Sequence, residues 1–200
     1  MNGQPHLEVI CGEMFGGKTT ELIRRLRRAQ RARKTVYMFK PEIDVRFDEV
    51  QVVSHDKASF IAVPVKDAAS ILAWLTENHP VNIPRRGCIV GIDEAQFFNG
   101  NLVQVCLELV EQGMTVICTG LDMDFRGEPF HPMPELMARA EVTTKIHAIC
   151  VVCGEEASRT QRLVNGEPAA FDDSIVLVGA EEFYEARCRK CHKINPPRNQ

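Results

Sequence analysis

The sequence predicts a layered α/β domain, in which helices flank a parallel sheet, followed by a small β subdomain. Two observations support this. Val- and Ile-rich runs alternate with helix-like stretches up to about residue 140, and C-x-x-C pairs occur only after it. The runs are mostly continuous rather than alternating in polarity, which is typical of strands covered on both faces of a parallel sheet. We therefore expect right-handed connections, with helices on both faces.

The elements follow in order along the chain. Strands are predicted at 6–11, 35–39, 87–92 and 114–119. Amphipathic helices are predicted at 19–32, after the cap residue Asp67, and at 101–112, where Gly113 is the stop. The polar stretch 41–60 has no clear period, and we predict a mobile loop there.

A different pattern begins after about residue 140. A strand is predicted at 142–148, a hairpin turn at Asn165-Gly166, and an apolar run covers 175–178. The predicted units are therefore an α/β domain over 1–140, a cysteine-bearing β subdomain over 141–193, and a tail over 194–200.

A phosphate-binding loop is predicted between the first strand and the first helix. Residues 12–19 fit G-x-x-x-x-G-K-[ST]. Glycines let consecutive amides face phosphate oxygens, Lys18 can reach the β and γ phosphates, and Thr19 offers a hydroxyl to magnesium. The helix N-terminus adds its dipole. The pattern predicts a P-loop fold of the RecA-like kind that binds a nucleoside triphosphate and magnesium; a simple glycine-rich turn is the alternative.

Two adjacent carboxylates follow the third predicted strand. Asp93 is placed as a magnesium-ordering acid. Glu94 is either a general base or a helix-capping acid, and Gln96 is either a phosphate contact or a solvated amide.

The two C-x-x-C pairs indicate a metal site. Four thiolates, from Cys150, Cys153, Cys188 and Cys191, suit a tetrahedral structural zinc. A redox role is the alternative, although it usually involves one pair at a helix N-terminus. His147 and His192 lie near enough in sequence to be substitute ligands or bystanders. The remaining cysteines lie in apolar runs and are predicted to be buried thiols.

Composition argues against several classes of protein. The 200 residues carry a net charge of −3, whereas dedicated nucleic-acid binders usually show a basic excess. The arginine-rich first helix is then a solvated or subunit-facing surface, with a nucleic-acid face as the alternative. No run is long enough to span a bilayer and the N-terminus does not resemble a secretory signal, so we expect no membrane partner and a cytoplasmic location.

Several of these segments together resemble one family, the type II thymidine kinases, the tetrameric zinc-containing class, in its bacterial form. The similarity covers nearly the whole chain in order. It is carried by residues 12–25, 44–46, 54–56, 92–98, 120–130, 158–163 and 179–191.

The resemblance implies a reaction and its requirements. The γ-phosphate of ATP would pass to the 5′-hydroxyl of thymidine, and also of deoxyuridine, giving dTMP and ADP for DNA synthesis. The implied cofactors are Mg²⁺ and a structural Zn²⁺. A homotetramer and feedback inhibition by dTTP are implied as well.

The resemblance also implies roles for individual residues, with Glu94 as the catalytic base and Thr19 and Asp93 at magnesium. The residues implied to bind ATP or its phosphates are Gly12, Glu13, Met14, Phe15, Gly16, Gly17, Lys18, Thr19, Arg46, Asp93 and Gln96. Those implied to bind the nucleoside are Met14, Leu121, Phe125, Phe130, Thr160, Ile175, Val176, Leu177, Val178, Gly179 and Tyr184. Glu13 and Gly16 depart from the small residues usual in the family, commonly serine or alanine at Gly16, and are expected to affect ATP affinity.

Two other functions remain as alternatives. The segment 93–96 also resembles the acidic box of helicase-like ATPases, although 200 residues are too few for tandem motor domains. A nucleotide-dependent switch is suggested weakly by Asp124-x-x-Gly127, but no N-K-x-D motif for reading guanine accompanies it.

Overall fold

The computed structural model describes residues 4–42, 51–53, 59–98, 100–175 and 182–198. A six-stranded sheet forms its centre, and each pair of neighbouring strands in it runs parallel. From edge to edge the strands are β5 (Val63–Val65), β2 (Val36–Pro41), β6 (Ile89–Ile92), β7 (Thr115–Gly120), β1 (Leu7–Cys11) and β8 (Val142–Lys145). The predicted α/β architecture is confirmed.

Helices cover both faces of the sheet. On one face, Leu22 and Leu26 share a buried cluster with Ile10 of β1. On the other, the remaining helices share a larger cluster with Val9 and Val90, because successive strand residues point to opposite faces. The helices are α1 (Lys18–Arg31), α2 (Ala68–Asn78), α3 (Asn101–Glu111) and α4 (Met133–Arg139). Among these described helices, none has the length and apolar character that a membrane crossing requires.

A small antiparallel sheet follows, with the strand Arg159–Val164 (β9) in the middle. Asn165 (φ 53°) and Gly166 (φ 83°) are both left-handed, as a two-residue type I′ hairpin turn requires. The predicted hairpin is therefore confirmed. The strands are β9 (Arg159–Val164), β10 (Glu167–Pro168) and β11 (Glu182–Arg187).

Two local predictions differ from the structure. Within 41–60, which was expected to be loop throughout, β3 (Gln51–Val53) pairs antiparallel with β4 (Ser59–Ile61), so that expectation is wrong there. Strands of three residues are too short to show a polarity period. The predicted strand at 142–148 ends at Lys145, and as β8 it pairs with β1. The unit boundary at residue 140 stays a prediction, and this pairing favours drawing it after Lys145.

Candidate active site and metal centre

The predicted phosphate and acidic residues meet at one edge of the central sheet. β1 leads into the loop 12–19, the neighbouring β7 leads into Leu121, and β6 leads into Asp93 and Glu94. The carboxyl ends of parallel strands share one edge, which is where open α/β sheets bind ligands.

The phosphate loop has a backbone that its glycines permit. Gly12 has φ 139° and Gly17, which precedes α1, has φ 81°. A Cβ on Gly12 would lie only 2.0 Å from the carbonyl oxygen of Ile146, and one on Gly16 would lie 3.1 Å from the same atom. Glycine at position 12 is therefore dictated both by its φ and by the approach of this neighbouring segment.

Lys18 lies among carboxylates at the start of α1. Its Nζ donates to the carbonyl oxygen of Glu13 at 2.7 Å. Burial lowers its pKa, because desolvation disfavours the charged form, while Glu94 and Asp93 act in the opposite direction. A partly buried ammonium group at this loop is suited to receive phosphate oxygens.

Asp93 is buried directly after β6. Thr19 Oγ1 donates to its carboxylate at 3.1 Å, and Thr119 Oγ1 from β7 also donates to it. Burial, and then the nearby charge of Glu94, raise the pKa of Asp93 to about 7. Hydroxyl and carboxylate oxygens are ligands that magnesium prefers, so Thr19 and Asp93 could hold this ion, whose charge would offset the buried anion.

Glu94 has a left-handed backbone (φ 51°) at the start of the short 3₁₀ turn Ala95–Phe97. Its side chain makes no capping hydrogen bond to that turn, so the geometry does not support the helix-capping alternative. Instead, Gln96 Nε2 donates to Glu94 Oε2 at 2.5 Å, and Gln96 Oε1 accepts from the backbone N–H of Leu121 at 3.0 Å. Gln96 is buried, and it fixes Glu94 relative to the end of β7.

The residues proposed for the nucleoside adjoin this edge. The hydroxyl of Thr160 in β9 accepts from the backbone N–H of Met14 at 3.0 Å, which joins the small sheet to the phosphate loop. Phe125 is buried, with the guanidinium of Arg162 5.0 Å from its ring centroid. Phe130 packs edge to face with Phe97 at 6.3 Å between ring centroids.

Two further candidates for nucleoside binding, Ile175 and Tyr184, lie in the segment after β10 and in β11. Ile175 is exposed, and Tyr184 is partly buried in β11. Their roles stay predictions. Arg46 and the four residues Val176, Leu177, Val178 and Gly179 lie outside the described residues.

The four predicted zinc ligands converge. The sulfur atoms of Cys150, Cys153, Cys188 and Cys191 all lie within 4.8 Å of one another. Four thiolates about 2.3 Å from one zinc ion would be separated by roughly 3.8 Å, and the Cys153 and Cys188 sulfurs are 3.7 Å apart. Burial acts to raise the pKa of Cys150, but backbone N–H groups, first that of Cys188, lower it to about 6, which favours a thiolate. The donor set therefore fits a structural zinc.

The two histidines considered as substitute ligands have other partners. His192 Nε2 lies 2.8 Å from the carbonyl oxygen of Phe125, and His147 Nδ1 lies 3.1 Å from Glu13 Oε2. The carboxylate of Glu13, a residue expected to affect ATP affinity, is buried against the segment 146–148. The remaining four cysteines, Cys11, Cys88, Cys106 and Cys118, are buried free thiols as predicted.

Sequence reasoning did not find three polar residues of this region. Thr119 donates to Asp93, Arg162 faces Phe125, and the Asp122 carboxylate pairs with a lysine at 2.6 Å. Thr119 and Asp122 lie at the carboxyl end of a buried run, and that position in a parallel sheet was the available signal. Arg162 gave no such signal, because its environment depends on tertiary packing.

One comparison with known proteins bears on this geometry. The family model described as Thymidine kinase matches residues 5–192, which is nearly the whole chain.

Proposed function

The chain belongs to the thymidine kinase family, and we propose that it transfers the γ-phosphate of ATP to the 5′-hydroxyl of thymidine, giving dTMP and ADP. Family membership implies a nucleoside kinase that phosphorylates thymidine. The choice of ATP as donor, the use of deoxyuridine as a second acceptor, and the bacterial type II subclass are parts of the proposal.

The observation that carries the proposal is the grouping of Glu94 with Lys18 and Asp93 at one sheet edge. Phosphoryl transfer depends mainly on positioning and on neutralising charge. Lys18 and the loop amides would bind the β and γ phosphates. Magnesium, when held by Thr19 and Asp93, would neutralise charge on the transferring group.

Glu94 is proposed as the general base that accepts the proton of the 5′-hydroxyl. Its carboxylate is oriented by Gln96, which is itself fixed to the backbone of Leu121. This chain of hydrogen bonds would hold the base in one position relative to the phosphate loop. Arg46 is proposed to approach the transferring phosphate.

The nucleoside is proposed to bind beside the small sheet, against Met14, Leu121, Phe125, Phe130, Thr160 and Tyr184 and the backbone of 175–179. The contact between Met14 and Thr160 supports this, because it joins that sheet to the phosphate loop. Zinc would serve the fold of this region rather than the chemistry.

Assembly, regulation and location are proposed on the family pattern. We propose a homotetramer that is inhibited by dTTP. A cytoplasmic location is consistent with the buried thiols, which are free rather than paired in disulfides.

The test is ADP release with ATP and magnesium in the presence of thymidine, uridine, single-stranded DNA or no acceptor. We expect thymidine-dependent release, reduced about a hundredfold or more in Glu94→Gln, which is the usual size of acid–base effects. ATP binding should persist in that variant, and Glu77→Gln, an exposed change on α2, is the matched control. DNA-stimulated release with thymidine inert would refute the proposed acceptor, and near-normal turnover in Glu94→Gln would refute the base.

A further inference from the structure

Glu13 connects the phosphate loop to the segment that leads into the cysteine cluster. Its side chain is 1% exposed. One carboxylate oxygen accepts from the backbone N–H of Ala148, and the other accepts from His147 Nδ1 at 3.1 Å. A carboxylate that is buried with two donors is fixed in position, because breaking either contact would leave a buried polar group unsatisfied.

The segment 146–148 lies along the phosphate loop. The N–H of Ile146 donates to the carbonyl oxygen of Cys11 at 2.9 Å, which continues the pairing of β8 with β1. The carbonyl oxygen of Ile146 then faces Gly12 and Gly16. A Cβ on Gly16 would be 3.1 Å from that oxygen, which is tighter than ordinary contact. Gly16 leaves room for the segment 146–148 to lie against the phosphate loop, and the Glu13 side chain binds that same segment.

The same segment reaches the metal centre. Ala148 packs with Cys188 and Cys191 against the buried Cys150, and it accepts from the N–H of Ala157 at 2.9 Å. Glu13 also has a contact on the nucleotide side, since its carbonyl oxygen accepts from Lys18 Nζ. A single residue thus touches the phosphate-binding lysine through its backbone and the zinc-bearing region through its side chain.

We propose that Glu13 is a positioning residue that couples the phosphate loop to the zinc-bearing region, so that nucleotide binding and zinc retention strengthen each other. The coupling must be reciprocal, because linkage between two bound ligands is the same in both directions. The inference rests on the proposed nucleotide site but is independent of which acceptor the enzyme uses.

The first experiment measures ADP binding in the presence of magnesium to the zinc-loaded wild type, Glu13→Ala and Glu13→Gln. Glu13→Ala removes both side-chain contacts and should weaken ADP binding by about five- to tenfold, the lower part of the range typical of coupled sites. In Glu13→Gln the amide oxygen can still accept from Ala148, so the loss should be about twofold. Glu77→Ala is the control for an exposed glutamate and should bind as the wild type does.

The second experiment measures transfer of zinc to a chelator that does not bind magnesium, with and without ADP. In the wild type, ADP should slow zinc transfer several-fold, and this protection should disappear in Glu13→Ala. A purely structural role would lower thermal stability without removing the effect of ADP on zinc. Equal protection in wild type and Glu13→Ala, or unchanged ADP affinity in Glu13→Ala, would overturn the proposal.

One further variant, His147→Ala, keeps the test decisive. This variant is used if Glu13→Ala does not fold, because it removes only one of the two contacts of the Glu13 carboxylate. His147→Ala should then lose part of the ADP affinity and part of the protection of zinc by ADP. Wild-type behaviour of both His147→Ala and Glu13→Gln would refute the coupling. Absence of ADP binding by the wild type would refute the nucleotide site itself, and the coupling with it. Neither experiment uses thymidine, so the coupling can be tested whether or not thymidine is the acceptor in the proposed reaction.

Discussion

Replacing Asp93 by asparagine should change how stability depends on pH. The ordinary pKa of an aspartate is 3.8, and burial, followed by the charge of Glu94, raises that of Asp93 to about 7. Between these values the folded chain keeps a proton that the unfolded chain has lost. The free energy of unfolding therefore falls as the pH rises through this window, and the loss ends above the folded pKa.

The magnitude follows from the width of that window. Each pH unit within it corresponds to about 1.4 kcal/mol, so the wild type should lose about 2 kcal/mol through this group between pH 5 and pH 7. Asp93→Asn cannot titrate and keeps an oxygen that can accept from Thr19 or Thr119. Relative to the wild type, the variant should therefore gain about 2 kcal/mol over the same range.

The assay is urea unfolding of both proteins from pH 5 to pH 8, without nucleotide or added magnesium. The difference between the two unfolding free energies removes the titration of groups that both proteins share, including the four clustered cysteines. Glu77→Gln, at an exposed position on α2, should show a flat difference. For Asp93→Asn, the unfolding free energy of the variant minus that of the wild type should rise with pH. If this difference is independent of pH, or falls as the pH rises, the assignment of a raised pKa to Asp93 is refuted.

Four further substitutions test the phosphate loop, the proposed metal centre and the proposed nucleoside site. Gly12→Ala should lower the free energy of unfolding by about 3 kcal/mol, because the added Cβ would lie 2.0 Å from a backbone carbonyl oxygen. Gly17→Ala should lower it by only about 1 kcal/mol, because an added Cβ there meets nothing within 4 Å and only the positive φ is unfavourable. Equal losses for the two variants in urea unfolding would contradict this. Cys150→Ser should lose zinc and thermal stability together, and a zinc-free variant with an unchanged Tm would show that the metal does not support the fold. Arg162→Met removes the guanidinium that donates to the carbonyl oxygen of Ser174 at 2.5 Å and faces the ring of Phe125. The KM for thymidine should therefore rise about tenfold, while the affinity for ATP stays unchanged. A change in ATP affinity alone would argue against a role for Arg162 in nucleoside binding.

The central sheet could be predicted because each of its long strands is a mostly apolar run. The runs that became β1, β2, β6 and β7 were found within two residues of their ends. The strand β8 was also found, but its partner was not, because pairing depends on contacts distant in sequence. The short strands β3 and β4 carry too few residues to show a period.

The candidate site was predictable where a motif fixes the local backbone. The phosphate loop, Asp93 and the four clustered cysteines lie where their spacing indicated. The direction of the Glu13 side chain was not predictable, since the donors that hold it lie more than a hundred residues away in the chain. The same reason applies to Arg162, whose partners come from two other segments.

The most direct test of the proposed reaction is to follow the phosphorus atom itself. In ³¹P NMR, a mixture of the protein with ATP, magnesium and thymidine should develop the phosphomonoester signal of dTMP as the γ-phosphate signal declines. With 5′-deoxythymidine, which lacks the accepting hydroxyl, that ester signal should not form. Loss of the γ-phosphate to inorganic phosphate at the same rate with both nucleosides would contradict the account, because it would show an ATPase to which the nucleoside is incidental.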